Sequence, residues 1–139
     1  MNYLVETHLV IWSLTDSKKL SKTARDMLSN EADTYYYSMA SVWEVGIKHD
    51  LYTSEIAITA GQYADFCDKA GYRLLNISVA HIDELSSLKR VPEHRDPFDR
   101  LMLAQAKHEG FKLITHDSRL LLYSEDCVVH VPAGTPEKE

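Results

Sequence analysis

The side chains of this sequence that could do chemistry are acids placed next to apolar segments. Glu6 directly follows the apolar segment Tyr3–Val5, Asp117 follows a second one, and Glu44 and Asp99 interrupt apolar helical patterns. Carboxylates brought together repel one another unless a cation neutralises them. Oxygen ligands suit Mg²⁺ or Mn²⁺, and such an ion can polarise a phosphodiester and generate hydroxide from bound water. Convergence of these acids would therefore indicate a metal site.

Each acid also fits an ordinary structural role when it is considered alone. Glu6 has the position of a helix-start acid favoured by the macrodipole. Asp117 can cap a short helix over Ser118–Leu122, and Asp96, followed by Pro97, has the pattern of a helix N-cap. Only the combination of the acids distinguishes a metal site from a set of helix starts.

Glu44 lies in a helical stripe that is otherwise apolar. The stripe predicted at helical spacing consists of Ala40, Trp43, Glu44, Ile47 and Leu51. One interpretation places Glu44 at the edge of the stripe, paired with Lys48 four residues on. The other points its carboxylate inward, where it needs a proton, a partner or a metal because burial of a bare charge is costly.

The elements that must position these acids alternate along the chain. The predicted strands are Tyr3–Val5, Tyr35–Tyr37, Leu74–Ile77, Leu113–Ile114 and Val128–Val131. The predicted helices begin at Ser21, near residue 58, at Ser78 and at Asp96, and the second ends at Gly71. This alternation predicts an α/β fold with a mainly parallel sheet and helices on both faces. Ligands bind such sheets at the carboxyl ends of the strands.

Composition excludes several classes of protein. The 139 residues fit one domain, and 45% hydrophobic with 26% charged residues indicates a folded core. No apolar run approaches the roughly 20 residues of a membrane span, no secretory signal is visible, and no glycine-rich nucleotide loop occurs. Only two cysteines are present, which argues against a disulfide scaffold and indicates a reducing cytosol. A net charge of −6 argues against a general polyanion binder but permits an enzyme with a local basic rim.

Four segments together resemble PIN-domain proteins of the VapC toxin type. They are Met1–His8, Ser38–Glu44, the His94-Arg95-Asp96-Pro97-Phe98-Asp99-Arg100-Leu101 block and Leu113–Asp117. The resemblance covers nearly the whole chain and implies a PIN-like α/β/α sandwich over residues 1–131, followed by a short polar tail over 132–139. It implies a Mg²⁺- or Mn²⁺-dependent endoribonuclease of a type II toxin–antitoxin system, with a cognate antitoxin and frequent homodimerisation.

Carried over by position, the resemblance implies that Glu6, Glu44, Asp99 and Asp117 form the metal site. The expected supporting positions are Thr7, Ser38, Asp96 and Thr115, and the expected contacts to RNA phosphates are Lys48, Arg95 and Arg100. Solvated surface charge is the alternative for each of those three cations. Trp12 and Trp43 are expected in the core or at an interface. Leu9, Ile11, Leu14 and the helix over 21–28 are expected to form an antitoxin groove.

Glu6 departs from the family pattern, which has Asp at this position. The additional methylene moves the carboxylate outward by roughly one C–C bond, and misplacement of about 1 Å can cost on the order of a hundredfold in rate. Mg²⁺ also tolerates distorted octahedral coordination poorly. We expect metal binding to be retained and activity to be reduced. Full activity and a silenced toxin are the other outcomes.

The sequence is compatible with two alternatives to a ribonuclease. The first is a catalytically weak PIN domain that acts mainly as a dimerising, antitoxin-binding module, which the presence of Glu6 favours. The second is a phosphatase that also uses acids at strand ends. A phosphatase needs a nucleophilic Asp in a strand-end pair with a Lys partner, and the segment Glu6–His8 does not supply that pair.

Overall fold

The computed structural model describes residues 1–134 and contains one five-stranded parallel sheet. The strands are β1 (Asn2–Val5), β2 (Thr34–Ser38), β3 (Arg73–Leu75), β4 (Lys112–Thr115) and β5 (Val128–His130). Their order in the sheet is β3-β2-β1-β4-β5, and every neighbouring pair is parallel. The predicted α/β class with a central parallel sheet is confirmed. The third strand is shifted, since Asn76 and Ile77 lie beyond its end.

Six α-helices connect and flank the strands. They are α1 (Thr7–Leu14), α2 (Lys22–Leu28), α3 (Met39–Leu51), α4 (Ala60–Lys69), α5 (Val79–Glu84) and α6 (Pro97–Glu109), with 3₁₀ helices at Leu85–Ser87 and Ser118–Tyr123. The side chains of Ser21, Ser78 and Asp96 accept backbone N–H bonds as the predicted N-caps. Asp117 also caps as predicted, but the helix that follows it is a 3₁₀ helix.

Two apolar cores cover the two faces of the sheet. One contains Leu4 and Leu113 of the sheet and the interior face of α6, including Met102 and Leu103. The other is formed by Val5 and Ile114 with residues of α1, α2, α3 and α4. Adjacent residues of a strand point to opposite faces, so the central strands β1 and β4 contribute to both cores. The result is the expected layer of helices on each side of the sheet.

The apolar stripe predicted for α3 is wrong, because the buried face of the helix is rotated away from Trp43 and Leu51 toward Ser41 and Val45. Trp43 is 58% exposed and Leu51 is 67% exposed, whereas Ser41 and Val45 are buried beside Glu44. The hydroxyl of Tyr63 in α4 donates to Ser41 Oγ at 3.1 Å, so α3 turns a partly polar face toward its neighbour. This contact with α4 cannot be read from the spacing of apolar residues within α3. Trp43 is therefore not a core residue.

The chain ends its described part against the loop before α2. Ala133 forms an isolated antiparallel bridge with Leu20, and the N–H of Gly134 donates to Lys19 O at 2.6 Å. The remainder of the predicted tail, residues 135–139, lies outside the described residues. No helix within residues 1–134 combines the length and the apolar character that a bilayer crossing demands.

Candidate metal centre

The four predicted acids meet at the carboxyl ends of the central strands. Glu6, Glu44, Asp99 and Asp117 line one hollow of about 150 Å³. Also lining it are His8, Asp96, His116 and Arg119. Glu6 follows β1, and Asp117 follows β4 beside it, because the two strands pair in parallel. Glu44 reaches the hollow from α3 and Asp99 from the first turn of α6.

The carboxylate of Glu6 is buried and held by two histidines. Its Oε1 accepts from His116 Nδ1 at 2.5 Å, and its Oε2 accepts from the backbone N–H of His8 at 2.7 Å. Burial alone would raise the pKa of Glu6, but the hydrogen bonds and positive charge of His116 and His8 outweigh it and lower the pKa to about 2. The same bond to Glu6 raises the pKa of His116. Glu6 is thus an ionised group whose two oxygens already have partners.

Glu44 is 2% exposed and has a partner for each carboxylate oxygen. The hydroxyl of Thr7 donates to its Oε1 at 2.6 Å, and Lys48 Nζ lies 2.7 Å from its Oε2. Burial opposes the charge on Lys48, yet the hydrogen bond to Glu44 outweighs this effect and raises the pKa of the lysine. Glu44 therefore points inward and also pairs with Lys48, so the two interpretations of its position are both correct. Lys48 neutralises Glu44 in the wall of the hollow.

Asp99 is the acid of the hollow whose pKa is raised by its surroundings. Burial raises the pKa of its carboxyl to about 6, and the charges of Asp96, Glu6 and Glu44 add to the rise, although the hydrogen bond from His94 opposes it. His94 Nε2 lies 3.3 Å from Asp99 Oδ2. The neighbouring acids that add to this rise also make the hollow attractive to a cation.

Asp117 differs from Asp99 because it is paired with the guanidinium group of Arg119. Arg119 Nε and Nη2 donate to its two carboxylate oxygens at 3.0 and 2.8 Å, and this pairing lowers the pKa of Asp117. The backbone N–H of Asp117 donates to Thr115 Oγ1 at 3.0 Å, which fixes the turn after β4. Asp117 Oδ2 is also 3.7 Å from His94 Nε2.

Of the four supporting positions, Asp96 lines the hollow, and Thr7 and Thr115 bond to residues that line it. Thr7 holds Glu44 and Thr115 holds the turn of Asp117. Asp96 lines the hollow while its Oδ1 caps α6 by accepting from Phe98 N and Asp99 N. Ser38 is fully buried and donates to Gln105 Oε1 at 2.5 Å, so it joins β2 to α6 and does not line the hollow.

His94 is a site residue that sequence reasoning missed. It is 1% exposed, and its Nδ1 lies 2.9 Å from the hydroxyl of Tyr123. One ligand atom each from His94, Asp99 and Asp117 lies within 4.8 Å of the others. No pair of histidines at metal-ligand spacing marked this position, since its partners come from α6 and from the end of β4. The only signal in the sequence was its place at the start of the block that contains Asp99.

The donor chemistry of this hollow fits a divalent cation that prefers oxygen ligands. Carboxylates dominate the lining, which suits Mg²⁺ and Mn²⁺. The one imidazole in the group of His94, Asp99 and Asp117 is compatible with Mn²⁺. Burial and the neighbouring acids raise the pKa of Asp99, so a cation bound in the hollow would stabilise its carboxylate. Asp99 and Asp117 are close enough to share an ion, whereas Glu6 is directed to the histidines.

Binding of Mn²⁺ is expected to weaken as the pH falls below about 6. Asp99 must lose its proton to become a ligand, so each unit of pH below its pKa lowers the apparent affinity about tenfold. Asp117 has a lowered pKa and does not add to this dependence. Isothermal titration calorimetry with Mn²⁺ between about pH 5 and pH 7 measures the effect. An affinity that does not change over this range would contradict a role for Asp99 as ligand.

Solved structures of toxin–antitoxin proteins share the fold of this chain, among them the following three. A chain of VapBC2 from Rickettsia felis, bound to a DNA fragment from its promoter, has a TM-score of 0.66 at 13% identity, covering 96% of this chain and 99% of that one. A toxin–antitoxin complex from Klebsiella pneumoniae gives 0.62 at 20% identity, with 91% and 95% covered. VapBC-1 from nontypeable Haemophilus influenzae gives 0.59 at 14% identity, with 89% and 92% covered. At these identities the likeness is one of fold.

The family follows from a comparison with models of protein families. Residues 3–125 match the PIN domain, a span that contains Glu6, Glu44, Asp99 and Asp117. No curated protein matches the chain. Because the match extends over most of the sequence, this chain belongs to the PIN domain family.

Proposed function

We propose that this chain is a metal-dependent endoribonuclease, the toxin component of a type II toxin–antitoxin system. The observation that carries the proposal is the meeting of Glu6, Glu44, Asp99 and Asp117 in one hollow at the carboxyl edge of a parallel sheet. Membership of the PIN domain family and the toxin–antitoxin folds of the structural neighbours support it.

In this proposal the ion, Mg²⁺ or Mn²⁺, is held by Asp99 and Asp117 with Glu6 near it. A bound ion of this kind would polarise the phosphodiester and lower the pKa of water, so that hydroxide could attack the phosphorus in line. Glu44, which is hydrogen-bonded by Thr7 and paired with Lys48, would orient the attacking water or accept its proton. Burial and the nearby acids disfavour the charge of Asp99, so a bound ion would stabilise this carboxylate.

A second candidate function has a specific observation in its favour. One oxygen of Glu6 accepts a hydrogen bond from His116 and the other from the backbone of His8. Glu6 is therefore less available as a metal ligand than the Asp that the family has at this position. A chain with such a site can be a weak nuclease that acts mainly by dimerising and by binding an antitoxin. Cleavage assays separate the two candidates, because both can bind metal.

Contacts to RNA phosphates are proposed for arginines near the start of α6. Arg90, Arg95 and Arg100 line a hollow of about 340 Å³ together with Val91, and none of the three arginines forms an ion pair within residues 1–134. In a protein with a net charge of −6, three uncompensated arginines make a local site for anions. Lys48 is a weaker candidate than the sequence suggested because its ammonium group is used by Glu44.

The proposed protein partners are a cognate antitoxin and a second copy of the chain. Ile11, Leu14, Ile58 and Phe66 line a mainly apolar groove of about 360 Å³ between α1 and α4, which suits an apolar segment of an antitoxin. Leu9 was expected in this groove but is fully buried in the core. The cytoplasm, where RNA and antitoxin are available, is the proposed location.

The test of the proposed function combines a cell assay with purified protein. Induction of the chain is expected to arrest growth, and coexpression of the product of the adjacent gene is expected to relieve the arrest. The purified chain is expected to cleave RNA with Mg²⁺ or Mn²⁺ and to stop when EDTA removes the ion. Cleavage that persists in EDTA would point to different chemistry. Arrest without cleavage by the purified chain would favour the binding module.

A further inference from the structure

Trp43 is a large aromatic side chain that the fold leaves in solvent beside the acidic hollow. Its side chain is on the outer face of α3, and the residue is 58% exposed. The ring of Phe98 meets it edge-to-face, with 5.1 Å between ring centroids and an interplanar angle of 78°. Phe98 in turn packs against the core under α6. Trp43 is therefore supported from one side while part of its indole surface stays free.

Both members of this aromatic pair are chain neighbours of acids in the hollow. Trp43 precedes Glu44 on α3, and Phe98 precedes Asp99 on α6. Successive residues of an α-helix are rotated by about 100° around its axis. Each aromatic side chain therefore lies beside an acid that lines the hollow. The packing of α3 and α6 brings the rings of Trp43 and Phe98 into contact.

The opposite flank of Asp99 carries positive charge. Arg100 follows Asp99, so it is rotated by about 200° from Phe98 around α6. Its Nη1 donates to the hydroxyl of Tyr123 at 3.2 Å, and it lines the arginine hollow with Arg90 and Arg95. The acidic hollow is therefore flanked by aromatic surface on one side and by guanidinium groups on the other.

We propose that Trp43, supported edge-on by Phe98, is a substrate-binding residue that stacks an unpaired nucleobase of the RNA strand whose phosphate is cleaved. The inference rests on the proposed function and adds to it a residue that binds the substrate. Aromatic side chains bind single strands through the faces of the bases, and arginines track the phosphates. Bases within a duplex are already stacked and paired, so they are not free to cover Trp43. The placement of arginines on one flank and indole on the other suits a strand that crosses the acids.

The experiment compares Trp43→Ala and Trp43→Phe with the unaltered chain and with Leu51→Ala. Leu51 is the matched control because it is 67% exposed on the same helix, two turns further on. The substrates are a single-stranded RNA and the same strand annealed to its complement. Trp43→Ala is expected to raise KM for the single strand roughly 5- to 100-fold, the loss of one base-stacking contact, with kcat little changed. Trp43→Phe is expected to retain most of the affinity, and Leu51→Ala all of it.

Light scattering on each variant separates RNA stacking from contact between copies of the chain. An unchanged KM for Trp43→Ala would overturn the inference while leaving the ribonuclease in place. A changed oligomeric state for Trp43→Ala, with a parallel loss of activity, would assign Trp43 to an interface between copies and also overturn it. An equal effect of Trp43→Ala on the KM for duplex and for single strand would contradict stacking on an unpaired base. Absence of cleavage by the unaltered chain would instead refute the proposed function.

Discussion

Asp99→Asn is expected to lower RNA cleavage about a thousandfold, because it removes the charge that binds the metal most directly. Metal ions contribute several kcal/mol of transition-state charge stabilisation, and each 1.36 kcal/mol corresponds to a factor of about ten in rate. Asn has nearly the size and shape of Asp, so the packing of α6 on the sheet should not change. The measurement is the single-turnover rate of cleavage of one RNA under Mg²⁺ and under Mn²⁺.

Thermal unfolding separates this loss of chemistry from a loss of fold. In the metal-free protein the carboxylate of Asp99 is half-buried near Asp96, Glu6 and Glu44, and burial together with these acids makes its charge unfavourable there. Asp99→Asn should therefore leave the melting temperature without metal unchanged or raise it, while the stabilisation by Mn²⁺ becomes smaller. Asp65→Asn is the matched control, since Asp65 lies on α4 in an exposed pair with Lys69. Rapid cleavage by Asp99→Asn would place the chemistry elsewhere.

Glu6→Asp is expected to raise the rate of RNA cleavage, by up to about a hundredfold. The shorter side chain withdraws the carboxylate by one methylene, and a shift of about 1 Å in a catalytic group can change the rate by about that factor. Glu6 now accepts from His116 and from the backbone N–H of His8. An Asp is a favoured N-cap for α1, so the exchange should not weaken the start of that helix. Cleavage rates of the two chains under Mg²⁺ and Mn²⁺ provide the measurement.

Glu44→Asp is the matched control for this change. It removes the same methylene from another buried acid of the hollow, whose oxygens are held by Thr7 and Lys48. Shortening Glu44 breaks contacts that the structure already satisfies, so its rate should fall while that of Glu6→Asp rises. Equal rates for Glu6→Asp and the unaltered chain would refute the view that Glu6 impairs the site. In that case His116 and Glu6 would belong to a working variant of the centre.

Local patterns predicted the strands, the helix starts and the chain positions of the acids. Ser21, Ser78 and Asp96 cap helices as expected because a capping bond spans only two or three residues. The acids fall together because parallel strands end at one edge of their sheet, a consequence of topology that alternating strands and helices already indicate.

Such local patterns could not predict contacts between segments that are distant along the chain. The bond between Glu6 and His116 joins residues 110 positions apart, and His94 meets Tyr123 across 29 positions. The rotation of α3, which exposes Trp43, depends on its packing against α4. Apolar spacing within one helix gives no information about a polar contact made by its neighbour.

Hydrophobic periodicity and capping act over a few residues, so a parallel α/β fold with acids at the ends of its strands could be predicted from local patterns. The groups that each acid contacts depend on how distant segments pack together. The histidines hold Glu6, Lys48 neutralises Glu44, Arg119 pairs with Asp117, and Asp99 retains a raised pKa. These differences arise from burial and from charges a few ångströms away, which come from segments far apart along the chain.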